Sequence, residues 1–246
     1  MVKTISLITK FIVVAVSALL LASCNQVINL KSITGSGEVI TENRTVTDDF
    51  KSIEVSNSID LVVEQSDKVQ ITVEADDNLI NSITTKIENG VLIISCDYDS
   101  FFDIESKKVT VKMPSIEALR ASSASSVSSS NKLRGEEITV RASSAANIKL
   151  DLEYDRVDAK ASSAGTIAMN GLALSLNSAA SSGSDIDADD LFSNEVIATA
   201  SSGASITINP IVKLKAKATS GSSILYVKTP KSIERKTSSG GSIEKI

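Results

Sequence analysis

Through the second half of the chain, small and aliphatic positions recur at a nearly fixed interval. Aligned on a closing aliphatic residue, seven segments repeat: ASSASSV to Val127, ASSAANI to Ile148, ASSAGTI to Ile167, ASSGSDI to Ile186, ASSGASI to Ile206, ATSGSSI to Ile224 and TSSGGSI to Ile243. The intervals between closing residues are 21, 19, 19, 20, 18 and 19. That period is too short for the common helical repeats, and the segments between motifs alternate apolar and polar with period two, as strands do. The pattern predicts an all-β solenoid, a right-handed parallel β-helix with coils of about 19 residues.

Stacking gives each column of the alignment a physical reason. Equivalent residues of successive coils would lie about 4.8 Å apart. Two aliphatic stacks would fill the interior, one of the closing residues and one of Ile138, Val157, Leu176, Val196, Leu214 and Ile233 ten positions earlier. The column Ala121, Ala142, Ala161, Ala180, Ala200, Ala218 and Thr237 marks a narrow corner. Serine stands four residues before every closing residue (Ser123, Ser144, Ser163, Ser182, Ser202, Ser220, Ser239), where stacked hydroxyls could satisfy one another or the turn backbone. Alanine or glycine always follows, as in Ala124 and Gly183, which suits a bend where a larger side chain would clash.

Upstream, FKSIEVSNSIDLVVEQ from Phe50 carries the same alternation around Ser56-Asn57-Ser58, with Ile59, Leu61 and Val63 on one face, and reads as an earlier coil. A strand over Val69–Val73, a helical turn near Asp76–Ile80 and a hairpin turned at Asn89-Gly90 follow, and would cap the N-terminal end of the stack. Residues 25–44 are polar with little pattern. The expected organisation is a signal segment over 1–23, a tether over 24–45 and the β-helix over 46–246.

Lys3 and Lys10 precede an apolar run from Phe11 to Leu21, followed by Ala22, Ser23 and Cys24. Eleven apolar residues are too few to span a bilayer, which takes roughly 20, so the segment reads as a cleavable signal peptide. Leu21-Ala22-Ser23-Cys24 resembles the lipobox of bacterial lipoproteins, which implies cleavage before Cys24 and lipid attachment there, with the acyl chains as the membrane partner. Loss of residues 1–23 removes Lys3 and Lys10 and leaves 23 basic and 30 acidic side chains, a net charge of −7. That balance disfavours nucleic acid, which calls for a basic patch. The cluster Lys213, Lys215 and Lys217 alternates with apolar residues as one solvated strand face would. With 3% aromatic residues and no tryptophan, a stacking platform for sugars or bases is also disfavoured.

Candidate chemistry is sparse. The chain has no histidine to activate any of the repeated serines. Asp185, Asp187 and Asp189 alternate as in a calcium loop, yet Asp190 stands where the EF-hand turn needs glycine and Val196 where it needs glutamate. Asp185 shares its column with Ser126, Asn147, Thr166, Ser205, Ser223 and Ser242, so a polar turn role is expected, and no metal or cofactor is assigned. A polysaccharide-cleaving groove would need charged groups converging from neighbouring coils. One residue past the closing aliphatic, Lys149 and Asp187 are followed by Thr207 and Leu225, which do not converge, so no catalytic residue is assigned. Cys96 alternates with Ile94 and Leu92 on one strand face and reads as a small buried hydrophobe.

The order FKSIEVSNSIDLVVEQSDKVQITVEADDNL, then GVLIIS, then serial SGAS-type copies resembles the head GIN domain family of putative auto-transporter adhesins, over roughly Val46 to Ile246. The resemblance implies a parallel β-helix-like fold and a bacterial envelope location of the Bacteroidetes type. The expected function is a non-enzymatic binding or adhesion-type domain whose partner is an envelope glycan or protein, the alternative being a periplasmic structural or signalling lipoprotein and, behind it, a polysaccharide-active β-helix enzyme. The resemblance supplies no catalytic residues. Asn25–Leu30 after Cys24 contain no acid, and lipoproteins of that group that are exported to the surface carry a short acidic run there. The expectation is therefore an outer-membrane lipoprotein with the periplasmic face favoured over the cell surface.

Overall fold

The computed structural model describes residues 30–246. The chain enters through β1 (Ser32–Thr34) and β2 (Val39–Arg44), then makes its first coil from β3 (Ser52–Val55) and β4 (Asp60–Gln65). Next come β5 (Gln70–Asp76), a 3-10 turn at Ile80–Ser82, β6 (Ile83–Glu88), β7 (Val91–Cys96), β8 (Ser100–Phe102) and β9 (Lys107–Met113). The seven motif copies follow as β10 (Ala118–Ala121), β11 (Ser126–Ser129), β12 (Leu133–Ala142), β13 (Asn147–Ala161), β14 (Thr166–Ala180), β15 (Asp185–Ala200), β16 (Ser205–Thr219), β17 (Ser223–Tyr226), β18 (Ser232–Ser238) and β19 (Ser242–Lys245).

The copies pair in parallel and in the register that the repeat predicts. Val127, Ile148, Ile167, Ile186, Ile206, Ile224 and Ile243 stand one above another. Leu61 and Val109 extend the ladder below them. All nine are buried, as are Ile138, Val157, Leu176, Val196 and Leu214 in the second stack. Full burial of one such side chain contributes about 1.5–3 kcal/mol, and the seam repeats it at every coil. The molecule is thus the parallel β-helix expected. The 20-residue interval before Ile206 enters as a register shift of β15 on β14 between Ala168 and Gly171, and β15 realigns on the shorter β16 coil across Ala188 to Phe192, where Asp189–Leu191 have no ladder partner on β16.

The turn in each motif follows one rule. Residues such as Ser163 (φ 49°) and Ala164 (φ 60°) both take positive φ, and Gly165 N–H donates to Ser162 C=O at 2.9 Å. These are the signs of a type I′ turn, repeated in all seven copies. Consecutive turns are tied by backbone: Ala145 N–H donates to Ser163 C=O, Ala164 N–H to Ser182 C=O, and Gly183 N–H to Ser202 C=O. The repeated serine thus stacks through its carbonyl while its side chain faces solvent, which corrects the expected hydroxyl ladder. The reason for the small residue after it is also different. A Cβ on Gly183, Gly203 or Gly221 would meet nothing within 4 Å, so positive φ rather than crowding selects glycine there. Crowding acts one residue later: a Cβ on Gly165 would sit 2.7 Å from the Ala142 carbonyl. Its column, Ser125, Ala146, Gly165, Ser184, Ala204, Ser222 and Gly241, is the narrow one, and Ser125 and Ser184 donate their hydroxyls to Val55 C=O and Ala161 C=O.

The N-terminal end departs from chain order. The first coil lies between β10 and β11 above it and β7 and β9 below it, because β3 pairs in parallel with β10 and β7, and β4 with β11 and β9. The later segment 66–113 therefore folds back beneath the coil that precedes it. It closes that end with antiparallel pairs, β6 on β7 through Asn89 (φ 51°) and Gly90 (φ 76°), and β5 on β9. The expected tether over 24–45 is corrected from Ser32 onward. β1 pairs with β8, and β2 pairs antiparallel with β5. β2 is polar because neither of its faces reaches the core, so no apolar alternation marked it. It is held by hydrogen bonds: Arg44 Nη2 donates to Ile80 C=O at 2.7 Å, and Thr72 Oγ1 to Asn43 Oδ1 at 2.9 Å.

Candidate functional site

Of the residues singled out from sequence, Cys24 lies outside the described residues. Cys96 is buried as expected, at 8% exposure. Its surroundings were not foreseen. Lys107 is nearly as buried, donates from Nζ to Asn57 C=O at 3.1 Å and sits 3.1 Å from the Phe101 ring centroid. Burial lowers the Lys107 pKa to about 8 against the opposing pull of Cys96 and Asp60, and burial raises that of the Cys96 thiol. The amine bonds a carbonyl at the first coil's own turn, so the pair fastens the cap to the stack.

The aspartate cluster does not converge. Asp185 is half-buried, which raises its pKa against a hydrogen bond from Ser205. Asp187 accepts the Asp189 N–H at 3.3 Å, and Asn209 Nδ2 donates to Asp189 C=O at 2.7 Å. Among the described residues no group of three or more His, Cys, Asp or Glu side chains is placed to hold a metal ion. The cluster builds the wall of the register shift.

What the stack does assemble is a long outer face, formed by β10, β18 and the C-terminal halves of β12 to β16. Its outward columns are read across copies. One column carries Glu137, Arg156, Ser175, Glu195, Lys213 and Ser232, and the next carries Ala118, Thr139, Asp158, Asn177, Ile197, Lys215 and Glu234. Their charges pair between coils: Arg156 with Glu137 at 2.9 Å and Lys215 with Glu234 at 3.7 Å. The third column is different. Arg120, Arg141, Lys160, Ala179, Thr199, Lys217 and Lys236 stand in register, five cations with two small residues in the middle. Asp158 takes Arg141 at 2.6 Å and Lys160 at 3.9 Å and is held below the usual carboxylate range; burial opposes this, and bonds from Arg141 and Asn177 outweigh it. Arg120, Lys217 and Lys236 are exposed and make no ion pair within 4 Å among the described residues, and below Arg120 the column ends at its register neighbour Glu54.

Beside this column runs one of hydroxyls, Ser122, Ser143, Ser162, Ser181, Ser201 and Thr219, which begin the turns. Between the two lies a shallow groove of about 450 Å³, lined by Arg141, Ser143, Lys160, Ser162, Ala179 and Thr199 among others. Sequence reading missed this column because its members lie about 19 residues apart, and Lys217 was read along its strand instead. Alignment seven positions before each closing residue finds it.

Residues 49–230 match the model of the family described as putative auto-transporter adhesin, head GIN domain. Among solved structures, the chain is similar to a putative adhesin from Bacteroides fragilis, with a TM-score of 0.81 and 20% identity over 87% of this chain and 100% of that one. It is similar also to a putative adhesin from Parabacteroides merdae, TM-score 0.69 and 21% identity over 88% and 99%. A putative lipid binding protein from Parabacteroides distasonis matches with a TM-score of 0.70 and 20% identity over 88% and 100%. No curated protein matches the sequence at a significant level.

Proposed function

Since the chain belongs to the head GIN domain family of putative auto-transporter adhesins, we propose that it is a lipid-anchored cell-envelope lipoprotein whose β-helix is a non-enzymatic binding domain of the adhesion type. The observation that carries the binding reading is the outer face just described, whose cation column leaves Arg120, Lys217 and Lys236 without an ion pair while Asp158 takes Arg141 and Lys160, on a scaffold whose repeated serines form the turns. The charges around the concavity near Lys51 and Tyr154 support it too, since Lys51–Glu117, Arg134–Glu153 and Arg156–Glu137 neutralise one another rather than converge on a reacting centre.

The anchor in this reading is Cys24 of Leu21-Ala22-Ser23-Cys24. The acid-free stretch Asn25–Leu30 favours the periplasmic side of the outer membrane. Palmitate labelling and fractionation test the anchor: wild type takes label and sediments with membranes, whereas Cys24→Ala loses the label and becomes soluble. A Cys24→Ala protein that stays on the membrane would overturn it.

A further inference from the structure

We propose that the column Arg120, Arg141, Lys160, Ala179, Thr199, Lys217 and Lys236 is a binding track for an acidic polysaccharide strand lying along the solenoid axis. The proposal rests on the binding reading above and specifies its ligand class.

Four observations point the same way. Register places the seven residues on one line, six strand spacings or roughly 29 Å long. A uronate chain presents one carboxylate per sugar ring along such a line. Where Ala179 and Thr199 replace cations, the track is recessed into the 450 Å³ groove, which gives room for sugar rings to approach the backbone. The hydroxyls of Ser143, Ser162, Ser181 and Ser201 flank it and make no hydrogen bond within the described residues, so they are available to sugar hydroxyls. Finally, charge is divided along the molecule. Residues 209–246 carry eight Lys and Arg against two Asp and Glu, whereas residues 30–208 carry 15 against 28. The cationic end draws a polyanion to Lys217 and Lys236, and the column continues from there through Lys160, Arg141 and Arg120 across the more acidic body.

The other polyanions fit less well. A flat anionic membrane pressed on this face would meet Glu137, Glu195, Asp158 and Glu234 in the two adjacent columns. A nucleic acid would find no aromatic ring along the groove on which to stack its bases.

The test uses the full-length protein purified in detergent, with polygalacturonate in calcium-free buffer as the probe, and polyglutamate and phosphatidylglycerol vesicles as competitors. Wild type is expected to bind polygalacturonate with an affinity that falls as salt rises. The triple variant Arg120→Gln, Lys217→Gln, Lys236→Gln is expected to lose about tenfold or more. The control Lys68→Gln, Lys86→Gln, Lys149→Gln removes the same charge elsewhere and is expected to bind as wild type does. Equal binding by wild type and the first triple variant would overturn the track while leaving a binding role intact. No binding of polygalacturonate by wild type would overturn the ligand class. Tighter binding of polyglutamate or of the vesicles would reassign the column to an acidic protein segment or a lipid surface.

Discussion

Ser163 and Ala164 hold φ at 49° and 60°, the left-handed region that most side chains avoid. Stacked hydroxyls at the Ser163 column and crowding at the Ala164 column are the reasons composition suggests, and the backbone angle, positive at both, replaces them. The distinction has consequences for mutation. At φ 49° a β-branched side chain is strained, so Ser163→Val is expected to lower stability by about 1–2 kcal/mol. Ser163→Gly is expected to stay near wild type, since glycine takes positive φ without strain, and urea unfolding orders the two. Cys96 was legible because alternation with Ile94 and Leu92 is enough to bury it, whereas its neighbour Lys107 was not, because a buried cation breaks the rule on which such reading relies. Lys107 also makes a pH prediction. Its pKa is about 8 in the fold against 10.5 unfolded, so between these values the unfolded chain holds the extra proton and stability rises with pH. The Cys96 thiol, raised by burial, acts oppositely above its unfolded pKa. The difference in stability between wild type and Lys107→Met, followed from pH 7.5 to 10.5 by thermal unfolding, isolates the lysine, and wild type is expected to gain on the variant across that window.

Among the elements, strands with one buried face were readable and those with none were not. The hairpin at Asn89-Gly90 follows from the turn pair alone, and the closing aliphatics fix the register of β13 to β17. One of them, Ile186, is fully buried in the middle of the seam, and Ile186→Ala is expected to cost about 2–5 kcal/mol. β2 escaped notice because hydrogen bonds hold it. Asp76 is central to this attachment: its carboxylate accepts N–H groups from Gly37 at 3.1 Å, Glu105 at 3.1 Å and Ser106 at 3.0 Å. Burial alone would raise its pKa, and these donors, Ser106 foremost, hold it below the usual value instead. The stabilisation is therefore present above the unfolded carboxyl pKa and is lost as pH falls through the lower folded one. Asp76→Asn is expected to cost about 1–3 kcal/mol at pH 7, and the gap to wild type should close in acid, as urea titrations at pH 7 and pH 3 would show.

For the whole molecule, the repeat was enough to give the architecture, because a period near 19 with internal alternation leaves few alternatives to stacked coils. It did not give the order of the stack at the N-terminal end. Whether the segment 66–113 lies above or below the first coil depends on which strands pair, and that is decided in three dimensions. The same holds for the binding surface, since a column of cations spaced by a coil is dispersed in the sequence and gathered only by parallel register. At inward positions of the β18–β19 coil, Arg235 and Lys245 stand in register with Ala216 and Tyr226, so the edge of this coil is cationic and resists pairing with another sheet.

The central claim is that the outer face of this stack, at its cation column, is where the partner lies. Amine acetylation of the wild-type protein with and without polygalacturonate, read lysine by lysine by mass spectrometry, tests it without any substitution. The account predicts protection of Lys160, Lys217 and Lys236 with Lys68, Lys86 and Lys149 unchanged. Protection spread evenly over both groups, or confined to the second, would contradict it.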